Sequence, residues 1–142
     1  MTGLEQRVHS ALPRLSFRTR GILDALLLDG GLMGSAGEVA ELVGTSSRFA
    51  LARLMRRDGL PSLHDLRDWI AVLTWVTTAE RTHASLFAIA SRFGRSPATC
   101  YRIVKRVTGL TWSEVARRGS RWVLRSFLKH CPATEARWRG NM

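Results

Sequence analysis

One pattern occurs twice in this 142-residue chain, and it narrows the folds open to it. Val39-Ala40-x-x-Val43-Gly44-Thr45-Ser46 superposes on Ile89-Ala90-x-x-Phe93-Gly94-Arg95-Ser96 at a shift of 50 residues, and the same shift carries Gly59-Leu60 onto Gly109-Leu110. Each copy reads as a short helix, a glycine turn, a serine cap, a second helix and a glycine stop. The glycine supplies the positive φ that lets two consecutive helices cross steeply, and the small alanine lets the second pack close. This is the helix-turn-helix order of elements. A single such unit is common in all-α domains as plain architecture; two in register, joined by one long helix, are harder to dismiss.

The rest of the chain is helical in pattern as well. No six-residue stretch alternates apolar and polar positions between turn residues, whereas spacings near 3.6 recur throughout. Ser16 is expected to cap a helix running to about Leu28, with Ile22, Leu23, Leu26 and Leu27 on its apolar stripe and Gly30-Gly31 as its stop. Ser35 with Glu38 spells a capping box for a short helix bearing Val39, Ala40, Leu42 and Val43. Ser46 or Ser47 caps the next helix, which ends at Gly59. Pro61-Ser62 opens a long helix to about Thr77, with Leu63, Leu66, Ile70, Leu73 and Val76 on one stripe that Trp69 and Trp75 widen. Ser85 caps a short helix with Phe87, Ile89, Ala90 and Phe93, and Ser96-Pro97 opens another to Gly109. A final helix is expected from about Ser113 to Lys129, with Gly119 a weak point inside it and Pro132 closing it.

The expected fold class is therefore all-α: two helix-turn-helix subdomains joined by a long bridging helix. Residues 1–34 form an extension whose leading helix covers the first subdomain, 35–61 the first unit and 62–80 the bridge. Residues 81–131 hold the second unit and a basic C-terminal helix, and 132–142 a flexible tail.

Charge sharpens the choice of partner. The formal net charge is +11, and residues 94–142 hold eleven basic and two acidic side chains, so the last third supplies +9 of it. A block of one sign concentrates polyanions around it, nucleic acid first and an anionic membrane surface second. The longest apolar run, Trp69 to Val76, falls far short of the roughly 20 residues that span a bilayer, and no membrane partner is expected. Glu5 and Arg7 stand where an export signal would carry its apolar stretch, so the expected location is the cytoplasm, beside the nucleoid of a bacterium. Cys100 and Cys131 make neither a disulfide framework nor a metal cluster. His9, His64, His83 and His130 are scattered with no HExxH spacing, and most carboxylates fall at helix starts. No catalytic residue, metal or cofactor is expected, and the chain does not read as an enzyme.

With Ser35 to Gly59, Leu66 to Gly94 and Ser85 through Trp112-Ser113-Glu114 in place, the chain resembles the DNA-binding region of the AraC family of bacterial transcription regulators. The resemblance covers roughly 80 residues and implies two helix-turn-helix units bridged by a long helix, here as a stand-alone DNA-binding domain. The implied partner is double-stranded DNA, read in the major groove by the second helix of each unit.

The side chains of those helices set the expected contacts. On the later one, Cys100, Ile103, Val104 and Val107 form the core stripe. Arg102 is suited to a bidentate contact with guanine, and Ala98 or Thr99 to a thymine methyl. Tyr101, Lys105, Arg106 and Arg95 are suited to phosphates. On the earlier helix the family-equivalent outer positions are Arg48, Leu51, Ala52 and Met55, of which only Arg48 donates to a base. Either that helix is rotated relative to its counterpart, or Leu51 and Met55 face a protein partner such as RNA polymerase or another regulator. Arg118, Arg121, Arg125 and Lys129, with Arg117 beside them, would line one basic stripe of the last helix, a sequence-independent phosphate clamp. The competing reading is a general nucleic-acid-binding or interaction module, of the transposase type or a polymerase-contacting modulator.

Overall fold

The computed structural model describes residues 3–30 and 36–131, and over them the chain is all-helical. In order the helices are α1 (Gly3–Ala11), α2 (Phe17–Asp29), α3 (Ala36–Leu42), α4 (Arg48–Arg57) and α5 (Leu63–Thr82). They continue as α6 (Leu86–Arg92), α7 (Pro97–Thr108), α8 (Trp112–Arg118) and α9 (Ser120–His130). Ser35, Gly31, Pro132 and the tail 132–142 lie outside the described residues. Among those residues no helix is long and apolar enough to cross a membrane.

α5 is the axis. The sequence pattern promised one apolar stripe, but Trp69, Ile70, Ala71, Val72, Leu73, Trp75 and Val76 are all buried. A helix apolar on every side is stable only when wrapped, and α2, α6, α7, α8 and α9 pack around it. Two of its hydroxyls bond within the helix: Thr74 donates to the Ile70 carbonyl at 2.8 Å and Thr78 to the Thr74 carbonyl at 2.7 Å. The helix also runs to Thr82, past its expected end.

The repeat of the sequence is a repeat of hydrogen bonds. Val43, Gly44 and Thr45 donate to the carbonyls of Val39, Glu41 and Ala40 at 3.1, 3.2 and 2.9 Å. Phe93, Gly94 and Arg95 donate to Ile89, Ser91 and Ala90 at the same three distances. Gly44 and Gly94 both sit in the left-handed region, at φ +74° and +69°, where a side chain is strained. Both alanines and both β-branched residues of the pattern, Ala40, Ala90, Val39 and Ile89, are buried. Leu42, placed with them by periodicity, is exposed instead.

Two expectations need correction. A helix at the very start, α1, escaped the sequence reading because its apolar signal is only Leu4, Val8 and Leu12, four apart. Val8 is fully buried, and Arg7 donates to the Ser120 hydroxyl at 3.0 Å, docking α1 onto α9. The single final helix is in fact two, because Gly119 takes φ +89°, ψ 172° and breaks it. The break frees the Ser120 N–H, which donates to Glu80 Oε1 at 2.5 Å, while the Ser120 hydroxyl donates to Oε2 at 2.9 Å. Glu80 of α5 thus captures the start of α9. α8 begins with its own capping box, Thr111 with Glu114.

A second carboxylate ties the N-terminal region to the first helix pair. Asp58, at the end of α4, accepts from the Ser16 N–H at 2.9 Å and from the buried Thr19 hydroxyl. Burial raises its pKa, but the bonds from Ser16 and Thr19 and the nearby Arg57 charge outweigh that and hold it below the usual carboxylate value.

Two measurements test these joints. Gly119→Ala is expected to cost about 1–3 kcal/mol in urea unfolding, since a Cβ there meets Glu80 Oε1 at 3.0 Å; a continuous helix would instead gain about 1 kcal/mol. Asp58→Asn is expected to lose about 1.5–3 kcal/mol at pH 7, the worth of hydrogen bonds to a charged acceptor. The folded pKa lies below the unfolded one, so this stabilisation is complete above about pH 4 and fades as pH falls through the folded value. The gap between wild type and variant therefore narrows in acid.

Candidate nucleic-acid interface

α7 presents two unlike faces. Cys100, Ile103 and Val104 are buried, whereas Ala98, Tyr101, Arg102, Lys105 and Arg106 are exposed and Thr99 is half-buried. Tyr101 keeps 43% of its surface open to solvent. Arg102 Nη2 donates to Thr99 Oγ1 at 3.2 Å, which holds the guanidinium along the first turns of the helix. Lys105 is the next exposed cation on that side.

Two arginines expected beside them are committed elsewhere. Arg106 reaches across to Asp68 of α5 in an ion pair, so its charge pins α7 to the central helix. His64 Nε2 approaches the same carboxylate at 3.6 Å. Arg95 is half-buried, with its guanidinium over the Trp75 ring at 5.7 Å. Stacked on a buried indole, it serves the turn before α7.

α4 is turned relative to the expected phase. Leu51 and Met55, expected as outward positions and a protein-docking surface, are 1% and 2% exposed and belong to the core. The cause is one residue. In the first pair the capping serine is Ser47, three residues after Gly44, whereas in the second it is Ser96, two after Gly94. One extra residue rotates the following helix by about 100°. Within the second helices the correspondence is therefore a shift of 49: Leu51 with Cys100 and Met55 with Val104, all four buried. The solvent face of α4 becomes Phe49, Ala52, Arg53, Arg56 and Arg57. Arg53 and Arg56 fall where Arg102 and Lys105 stand on α7. Their exposure is not legible from the pattern alone because Ser46 and Ser47 are adjacent and both suited to the cap. The signal was Ser47 itself, whose hydroxyl accepts from the Ala50 N–H at 3.2 Å. Arg48 is exposed as expected, its guanidinium 5.0 Å over the exposed Phe49 ring.

The C-terminal basic stripe is shorter than expected. Arg121, Arg125 and Lys129 share an exposed face of α9, while Val123 and Phe127 are buried on the other. Arg118 lies across the Gly119 break on α8 and stacks over the Trp122 ring at 5.1 Å, so it does not continue that stripe. His130 lies 5.7 Å from the Trp69 ring and its Nε2 3.8 Å from Asp65. Among the described residues no group of three His, Cys, Asp or Glu is placed to hold a metal ion. Burial pushes the Cys131 thiol up to about 12, and burial likewise raises Cys100 against a weaker opposing pull from Arg95.

Comparison with family models, with curated proteins and with solved structures finds no match to this chain.

The phase of α7 is open to a chemical test. Native protein is expected to leave both Cys100 and Cys131 unreacted with a disulfide reagent such as DTNB, because thiolates are disfavoured and both sulfurs are enclosed. Unfolding in denaturant should release two equivalents. Rapid reaction of Cys100 in the native state would mean that α7 turns that side, not Arg102, to solvent.

Proposed function

We propose that this chain is a DNA-binding transcription regulator, a divergent relative of the AraC type, whose two helix pairs act as helix-turn-helix units. The observation that carries the reading is the exposed face of α7, where Tyr101, Arg102 and Lys105 stand clear of the core beside Ala98. Arg102 makes the bidentate base contact and Ala98 and Thr99 meet a thymine methyl. Tyr101 and Lys105 bind phosphates and set the register. Arg53 and Arg56 join Arg48 as the corresponding cations of the first unit, on a helix whose phase now matches that of α7. The partner is double-stranded DNA, in a bacterial cytoplasm, with no catalytic step and no cofactor.

The basic face of α9 favours a second reading. Arg121, Arg125 and Lys129 suit sequence-independent phosphate contact, the property of a general nucleic-acid-binding module.

Selection from a random duplex pool, followed by competition binding at physiological salt, separates the two. A regulator holds its selected site about a thousandfold or more tighter than random duplex. Arg102→Ala is then expected to cost about 1–3 kcal/mol on that site and to relax preference at one base position, with little effect on random duplex. A ratio near one, with Arg102→Ala and Arg125→Ala behaving alike, would leave the general module as the correct reading.

A further inference from the structure

A second basic site is built where the N-terminal region meets the first helix pair. Arg18 of α2, Arg53 and Arg57 of α4 and the turn Gly44-Thr45-Ser46 line one open cleft, and no carboxylate side chain is among its lining residues. Among the described residues neither Arg18 nor Arg53 has an ion-pair partner, and the contact of Arg57 with Asp58 is loose, Nε to Oδ1 at 3.9 Å. Asp58 is itself occupied by the Ser16 N–H and the Thr19 hydroxyl. Those two bonds flank Arg18 in sequence, so the joint that docks α2 onto the end of α4 also places Arg18 on the cleft that Arg57 lines.

Three guanidiniums around one hollow repel each other unless an anion sits between them. Guanidinium forks match the oxygens of a phosphate group. The turn adds a donor: the Thr45 hydroxyl is spent on the Ala40 carbonyl at 3.0 Å, but capping by Ser47 leaves the exposed Ser46 hydroxyl available.

We infer that this cleft takes a phosphate group, held by Arg18, Arg53 and Arg57 with the Ser46 hydroxyl, and that the phosphate belongs to the backbone of a bound duplex. The source of the phosphate rests on the proposed function; the chemistry of the cleft does not. α2 then becomes a contact element of the interface in addition to covering the first helix pair, and the first unit is clamped by cations from two helices.

The test uses the whole chain with Arg18→Gln, Arg53→Gln and a charge-matched control, Arg20→Gln. Arg20 is exposed on α2 but leans toward the Pro13 carbonyl at 3.4 Å and does not line the cleft. One arm measures affinity for random duplex against salt; the other follows backbone amide shifts on titration with inorganic phosphate and pyrophosphate. Arg18→Gln is expected to weaken duplex binding about fivefold or more at low salt and to reduce the salt slope by about one, with Arg20→Gln near wild type. Amide shifts at Gly44 to Ser46 should accompany pyrophosphate in wild type and vanish in Arg18→Gln. If wild type binds no duplex yet these shifts occur and depend on Arg18, the cleft stands as a site for a free phosphate and the DNA reading fails. If duplex binds and Arg18→Gln and Arg53→Gln match Arg20→Gln in both arms, the cleft inference is overturned while the DNA reading survives.

Discussion

The enclosure of α5 is the constraint on which the rest depends. Its middle turns carry apolar side chains on every side, and an exposed Leu, Ile or Trp would forgo roughly 1.5–3 kcal/mol of burial each. Five other helices therefore wrap around it, and their directions follow from which part of α5 each must cover. Thr74 and Thr78 are compatible with this because their hydroxyls bond back to the helix, whereas the enclosed Thr77 hydroxyl has no hydrogen-bond partner among the described residues. The second helix pair, α6 and α7, is placed directly by its packing on this element, and the first is tied to α2, which itself packs on α5, through Asp58.

Polar joints then fix what apolar packing leaves loose. Hydrophobic contact is non-directional, so it sets which faces meet but not their exact register. Asp58, ahead of α5 in the chain, supplies direction by clasping Ser16 and Thr19, and Glu80, near the C-terminal end of α5, by clasping Ser120 at the Gly119 break. Asp68 does the same for α7 through Arg106. Each uses a carboxylate on or beside the α4–α5 stretch to hold a helix that follows or precedes it at long range. Among the cations left turned to solvent are Arg102 and Lys105 on α7, Arg53 and Arg56 on α4, and Arg121, Arg125 and Lys129 on α9. An accounting of basic residues by sequence segment does not distinguish these from Arg106 or Arg95, whose charges are engaged within the fold.

The glycine–serine spacing shows how a local difference acquires wider consequences. Both turns use the same three backbone hydrogen bonds, yet the first inserts one residue before its cap. The insertion costs little at the turn itself, but it decides which side of α4 enters the core. Leu51 and Met55 go inward and three arginines come outward, which removes an apolar docking surface and creates a basic face and a basic cleft in its place.

By itself the sequence determined the helical class, the doubled unit, the glycine turns, most of the caps and the two-faced character of α7. These are local properties, set by periodicity and by backbone preferences that a few consecutive residues carry. Tertiary structure alone decided that α5 is enclosed rather than one-sided, that the last helix breaks at Gly119, that α1 docks on α9, and that Arg106 belongs to Asp68. The phase of α4 is carried locally by the Gly44-to-Ser47 spacing, and the burial of Leu51 and Met55 made it visible. The joints of Arg106 with Asp68, Ser120 with Glu80 and Arg7 with Ser120 depend on partners 38, 40 and 113 residues apart in the chain, and no local pattern encodes where such partners will lie.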